Sequence, residues 1–354
     1  MSYYDVVITD WHEIEGSRKE RGHIAATWQN LTGANSVTAG VQRISIDPGR
    51  WATPLHLEGS EEEIFYVLSG TGVSVQWDGE KEEAFAVGPG DCLAHLACEY
   101  AHTIGAGADG LVVLAFGQRH YPANTLLPRA GVSWLGPTWV LEGAPEDHPW
   151  TREAAVGPPT WDVLAARPSR IVNVDDVPAG KRGTGAATAT VSSAVRDLGG
   201  AVGSERTGLS HYVVQPGKLM NPPHAHGAEE EIFVILEGSG TVMLYPSPRE
   251  EGEIEEFPVH AGCTIARPAG SRRAHAIRAG ADGLTLLAFG TRDPNEIVYY
   301  PRSGKISFGE SNCTRTFSVV SVVLWRRNLS SLDFPVSVNV KLSGATTPSR
   351  NSSN

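Results

Sequence analysis

Within PPHAHGAEEEIFVILEGSG, residues 222–240, two histidines and a carboxylate stand at a spacing that suits a metal ion. His224 and His226 are two apart, so on a strand they share a face, and Glu231 follows across a short turn on the next strand. A fourth donor arrives in AGCTIARPAGSRRAHAI, where a glycine turn, an apolar strand and a Pro-Ala-Gly corner lead to His275. Three neutral imidazoles and one carboxylate leave a bound divalent ion with a surplus positive charge. In octahedral geometry they also leave open positions, which suits an anionic substrate, O2 or both. The nitrogen-rich set fits Fe, Mn, Ni, Co, Cu or Zn better than Ca or Mg. Glu229 and Glu230 read as turn surface. Arg267, two residues before Ala269, is a candidate partner for a substrate carboxylate or phosphate if it points inward.

The chain carries this unit twice. GVQRISIDPGRWATPLHLEGSEEEIFYVLSG (40–70) aligns without a gap on GLSHYVVQPGKLMNPPHAHGAEEEIFVILEG (208–238), and AHTIGAGADGLVVLAFG matches AHAIRAGADGLTLLAFG almost letter for letter. A period of about a hundred residues is too long for a solenoid and reads as a duplicated domain. The first copy offers His56, Glu63 and His102 at the matching positions, but Glu58 stands where the second has His226. Glu58 either completes a harder, formally neutral His2Glu2 site or swings outward and leaves a degenerate pocket. His95 falls near the repeat position of Arg267 and is a second candidate for lining a substrate cavity.

The pattern HxHxxxxE, six residues, Gly238, then a later Gly, Pro-x-Gly and His resembles the two sequence motifs of the cupin superfamily, and the duplication resembles a bicupin. The resemblance covers roughly residues 20–125 and 171–310. It implies an all-β protein of two tandem antiparallel β-barrels, or jelly rolls, each with a metal site in its interior. Short Val-, Ile- and aromatic-rich runs broken by Gly, Pro and Asp-Gly pairs agree with that architecture. The expected organisation is a first barrel over 20–125, a linker over 126–170, a second barrel over 171–310 and an atypical tail over 311–354. The linker holds four of the nine tryptophans, so it reads as a packed clamp against both barrels rather than a tether. His148 is a less favoured candidate for closing a barrel mouth. The tail has one acid, Asp333, and reads equally as an extra hairpin, a swapped arm or an altered reading frame; a chain ending at Glu310 is expected to fold without it.

The formal net charge of −11 argues against a nucleic-acid or anionic-membrane partner. The N-terminus shows neither a signal peptide nor a transmembrane start. Cys92, Cys98, Cys263 and Cys313 form no CxxC pair, and Cys92 and Cys263 read as core fillers in a reducing cytosol. A cytoplasmic protein with a small-molecule substrate follows, and self-association is left open.

Cupin chemistry is broad, so the resemblance implies metal binding and leaves the reaction open. The expected activity is an oxygen-dependent oxidation of a small anionic or enolisable substrate. The alternatives are a metal-dependent lyase, decarboxylase or isomerase, and a non-enzymatic metal or ligand binder. Oxalate decarboxylase-like chemistry is disfavoured because bicupins of that type resemble one another in carrying His-x-His in both halves. A lyase would also need a proton carrier, for which sequence offers only His95, Tyr212 and Tyr245.

Overall fold

The computed structural model describes residues 6–33, 36–120, 123–135, 148–183, 189–247, 252–308 and 315–318. Among them the α-helices are Pro149–Val156 and Leu198–Ala201, and the alternating apolar runs form two large antiparallel sheets, each curled into a barrel. In the first barrel strand Glu63–Trp77 pairs with Ala101–Gln118, and in the second Glu231–Leu244 pairs with His275–Thr291. Both long strands bend at the same place, with register shifts on either side of Ser69–Gly70 and of Glu237–Gly238. Gly70 and Gly238 have φ of +80°, and a Cβ would lie 2.2 Å and 2.4 Å from the carbonyl oxygens of Gly110 and Gly283. Only glycine fits, and the bend lets one strand serve two walls of a barrel.

Strand alternation divides the side chains between two destinations. Phe65 and Val67 point into the first barrel, and Phe233 and Ile235 into the second. Their neighbours Ile64, Tyr66, Ile232 and Val234 point outward into a shared cluster with Leu114, Phe116, Leu287 and Phe289. The rings of Phe116 and Phe289 meet there with centroids 5.3 Å apart. The repeats thus pack back to back through equivalent faces.

Two short strands cross from one repeat to the other. Val7–Asp10 pairs with Cys263–Ala266 of the second barrel, and Ile171–Asn173 pairs with Asp91–Leu93 of the first. The residues preceding each repeat therefore complete the sheet of the other. Each covers an edge that would otherwise expose a row of unpaired backbone groups.

Carboxylates lock the same interface. Glu62 is 1% exposed and Glu230 is 3% exposed, contrary to the surface reading of Glu230. Glu62 accepts hydrogen bonds from Ser204 Oγ (2.5 Å) and from the backbone N–H groups of Glu205 (2.8 Å), Arg206 (3.1 Å) and Thr207 (3.1 Å). Glu230 accepts from Ser36 Oγ (2.8 Å) and the N–H groups of Val37 (2.9 Å), Thr38 (2.9 Å) and Ala39 (3.1 Å). A buried carboxylate is tolerated only when its lone pairs meet such donors, and here the donors belong to the opposite repeat.

The linker packs chiefly on the first barrel. Trp150 and Trp161 lie against its apolar mouth, the latter edge-on to Trp51 at 4.7 Å. His148 caps the helix by accepting from the Trp150 N–H, which gives it a structural task. Arg170 joins the halves, pairing with Glu99 at 2.6 Å while donating to the carbonyls of Val202 and Gly203. Trp139 lies outside the described residues, as does the tail except for strand Arg315–Ser318, which pairs with Lys305–Phe308.

Replacing Glu62 by Ala strands several buried donors, at ~1–3 kcal/mol for each left unpaired. Equilibrium denaturation of Glu62→Ala should show a loss of at least ~3 kcal/mol or a separate unfolding step for each barrel. An unchanged single transition would show that the clasp contributes little.

Candidate metal centre in the second barrel

The donors of the second barrel come from three places in the chain. His224 and His275 form an isolated antiparallel bridge, exchanging backbone hydrogen bonds of 3.2 Å and 2.8 Å. His226 lies on the two-residue strand Ala225–His226, held by Ile297–Tyr300, and Glu231 opens its long strand. Glu231 Oε2 lies 3.7 Å from His224 Nε2, 3.1 Å from His226 Nε2 and 2.9 Å from His275 Nε2. Cis ligands of an octahedral ion with bonds of about 2.1 Å are separated by about 3 Å, so two of these spacings are already those of a coordination sphere.

The other ring nitrogens fix which atom faces inward. His224 Nδ1 donates to the Pro222 carbonyl (2.8 Å), leaving the Nε2 lone pair for the site. His226 Nδ1 donates to Glu296 Oε1 at 3.1 Å. Glu296 is 3% exposed and also accepts from the N–H groups of Gly227 (3.1 Å), Ala228 (2.9 Å) and Glu229 (2.7 Å). A buried carboxylate so placed is the kind of outer partner that orients an imidazole ligand. Sequence reasoning missed Glu296, which lies seventy positions from His226 with no motif joining them. By contrast, His226 Nε2, His275 Nε2 and Glu231 Oε2 are buried without a hydrogen-bond partner among the described residues. Donor atoms gathered in this way are placed to share a cation.

Burial opposes ionisation of Glu231, but His226 and His275 hold its carboxyl well below the usual range. Burial likewise opposes charge on His226, yet Glu231 and Glu296 outweigh it and raise the imidazole to about 10. Burial pushes His275 down to about 3.

Arg267 lies directly across the strand pair from Glu231 and is 3% exposed. Its Nη2 donates to Ser271 Oγ (3.1 Å) and the Arg273 carbonyl (3.0 Å), while Nε and Nη1 have no hydrogen-bond partner among the described residues. Burial lowers its pKa to about 10. Glu229 lines the same narrow cleft, with Oε2 3.9 Å from His226 Nδ1. Burial raises its carboxyl to about 7. The surface reading of Glu229 is therefore corrected, because its backbone N–H is tied to Glu296 and its carboxylate accepts from the Asp293 N–H at 2.9 Å.

The first barrel gathers a related but different set. His102 Nε2 lies 3.0 Å from Glu63 Oε2 in a hydrogen bond, and His56 Nε2 lies 3.8 Å from the same oxygen. Glu58 Oε1 is 3.7 Å from His56 Nε2, so it stays at the site, but its other oxygen accepts from Thr125 Oγ1 at 2.9 Å. Burial opposes charge on His56, yet Glu63 and Glu58 raise it to about 9. His95 faces Glu63 in the same register that places Arg267 opposite Glu231. Its ring stacks on His102 at 3.8 Å and lines a cavity of about 50 Å3.

Against this geometry, the cupin domain model matches residues 210–289, a span that contains all four donors of the second site. The fold is similar to oxalate decarboxylase from Bacillus subtilis, with TM-score 0.54 and 15% identity over 80% of this chain and 75% of that one. It is also similar to the formate complex of Lactobacillus farciminis oxalate decarboxylase, with TM-score 0.55 and 16% identity over 81% and 86% of the two chains. Both relatives carry the two-barrel arrangement. Residues 210–289 match the cupin domain, and the chain has the two-barrel bicupin fold. No curated protein matches the sequence. The identities to the solved structures establish the bicupin fold and leave its chemistry to the site.

Three measurements follow. Elemental analysis of His226→Ala and His275→Ala should show at least a tenfold drop in metal affinity, and Glu296→Gln a drop of about 10–100-fold through the loosened imidazole. In equilibrated protein holding two ions, a chelator should empty the first barrel before the second, and Glu58→His should narrow the gap. The third concerns pH. Burial holds His95 well below the ordinary imidazole value, so its contribution to stability is present above the unfolded pKa and is lost as pH falls. The melting temperature of His95→Phe should therefore drop less between about pH 7 and about pH 5 than that of the parent, and parallel curves would contradict this.

Proposed function

We propose that this bicupin is a metal-dependent lyase, of the decarboxylase type, acting on a small carboxylate anion in the second barrel. The observation that carries the reading is Arg267, a buried guanidinium with two unpaired nitrogens beside the four metal donors. A bound divalent cation would supply Lewis acidity and, with the donor set, a surplus positive charge. Arg267 adds a second positive charge, and its planar fork suits a carboxylate better than a neutral ligand. The cleft lined by His226, Glu229, Glu231, Arg267, Pro268, Ser271 and His275 is narrow and favours a substrate of few atoms.

The proton carrier whose absence favoured an oxygen-dependent oxidation is supplied by Glu229. It shares the cleft with Arg267 and lies 3.9 Å from His226, and burial of its carboxyl favours the protonated form that a proton donor needs. In this reading Arg267 binds and orients the carboxylate that will leave as CO2, and Glu229 delivers a proton to the carbon left behind. The two structural relatives, oxalate decarboxylases by description, support the same class. The Mn(II) centres described for the Bacillus subtilis enzyme make manganese the first ion to load, although this chain lacks His-x-His in its first half.

Metal-loaded protein should release CO2 from one or more members of a panel of small mono- and dicarboxylates. Arg267→Ala should raise KM at least tenfold with metal content unchanged, and Glu229→Gln should lower kcat while leaving KM and metal nearly as they were. The decisive control is anaerobic turnover. Loss of activity without O2, with O2 consumed stoichiometrically in air, would return the protein to the oxidoreductase class. Silence across the panel with metal bound would favour a binding protein.

A further inference from the structure

The corner where the N-terminal strand joins the second barrel carries a second donor set. Asp10 ends that strand opposite Cys263, and His260 stands just before the turn through Gly262. One donor atom from each of Asp10, His260 and Cys263 lies within 4.8 Å of the others. His260 Nδ1 is 2.9 Å from Cys263 Sγ, and His260 Nε2 is 3.5 Å from Asp10 Oδ2. The backbone N–H of His260 also points at the sulfur, at 3.5 Å.

The surroundings favour a cation. Asp10 Oδ1 is held by His12, whose Nδ1 lies 2.8 Å away while its Nε2 accepts from the Trp11 indole at 3.1 Å. That arrangement leaves Oδ2 toward the cluster and gives the carboxylate an outer imidazole partner of the kind found around metal ligands. The ring of His12 packs so closely on the turn that a Cβ at Gly262 would lie 2.7 Å from its Cε1. In the matching corner of the first barrel, Asp91 is neutralised by Arg167 through two contacts of 2.8 Å. At the second corner the described ion pairs of Asp10 are with imidazoles only.

We propose that Asp10, His260 and Cys263 bind a zinc-class divalent cation that staples the N-terminal strand to the second barrel. A thiolate, an imidazole and a carboxylate are a borderline-soft set suited to tetrahedral zinc, with water in the fourth position. The ion closes a loop of about 250 residues, so it restricts the unfolded chain as well as fastening a four-residue strand. Cys263 is buried in the second barrel's core cluster, as its reading as a core filler requires, and the proposal gives its sulfur a second task. The site is separate from the barrel donors and independent of the proposed reaction.

The test uses the full chain, stripped of metal, reduced and titrated with Co2+. Thiolate ligation gives a near-ultraviolet charge-transfer band that the all-nitrogen-and-oxygen barrel sites cannot produce. At saturating ion, with the barrel sites also filled, the band should reach the intensity of one thiolate site per chain in the parent, in Cys98→Ser and in His226→Ala. Cys263→Ser should abolish it, and Asp10→Asn and His260→Gln should weaken binding by at least about tenfold. If Cys263→Ser fails to fold, the outcome rests on the latter two, which alter positions nearer the surface. Absence of the band in the parent, its survival in Cys263→Ser, or unchanged affinity in Asp10→Asn and His260→Gln would overturn the proposal.

Discussion

A β-strand sends successive side chains to opposite faces, and this molecule depends on how its two Glu-Glu-Glu-Ile-Phe segments meet that constraint. Glu63 and Glu231 point into the barrels, where Glu63 meets His56 and His102 and Glu231 meets His224, His226 and His275. Glu62 and Glu230 point the other way and are clasped by backbone of the opposite repeat. The residues after them continue the alternation, with Phe65 and Phe233 inside and Ile64 and Ile232 in the interface. A one-residue slip would bury the wrong carboxylate against the wrong partners. Register is thus fixed by charge as well as by apolar area.

The same constraint explains why the two sites differ. Each barrel presents a buried carboxylate to a set of imidazoles, but the neighbouring positions hold different groups. In the second barrel Arg267 and Glu229 flank donors with unpaired lone pairs, which favours a cation and an anion bound side by side. The first has the neutral ring of His95 where the second has Arg267, and Glu58, tied to Thr125, where the second has His226. Duplication provided one framework, and a few substitutions at equivalent places gave it one charged cleft and one roomier, less charged cavity.

Much of this was legible in the chain. The repeat exposed the two-barrel fold because matched glycines and apolar runs recur in order, and the His and Glu spacing marked the inner donors because strand periodicity carries them to one face. Contacts between segments distant in sequence were not legible. Glu230 looked like turn surface because its donors lie 191–194 positions away, and Glu296 has no motif linking it to His226. The crossing strands were missed for a related reason: Val7–Asp10 and Ile171–Asn173 are short and unremarkable until a sheet edge in the other repeat gives them a place. Arg267 was a candidate, but burial and unpaired nitrogens are properties of the assembled barrel.

The central claim is that the second barrel is built around one metal ion. Anomalous diffraction from crystals of the purified, unsupplemented protein, collected at the absorption edge of the metal it contains, tests this directly. The account predicts a peak about 2.1 Å from Nε2 of His224, His226 and His275 and from a carboxylate oxygen of Glu231. No peak at that position in crystals whose solution protein carries stoichiometric metal would contradict it.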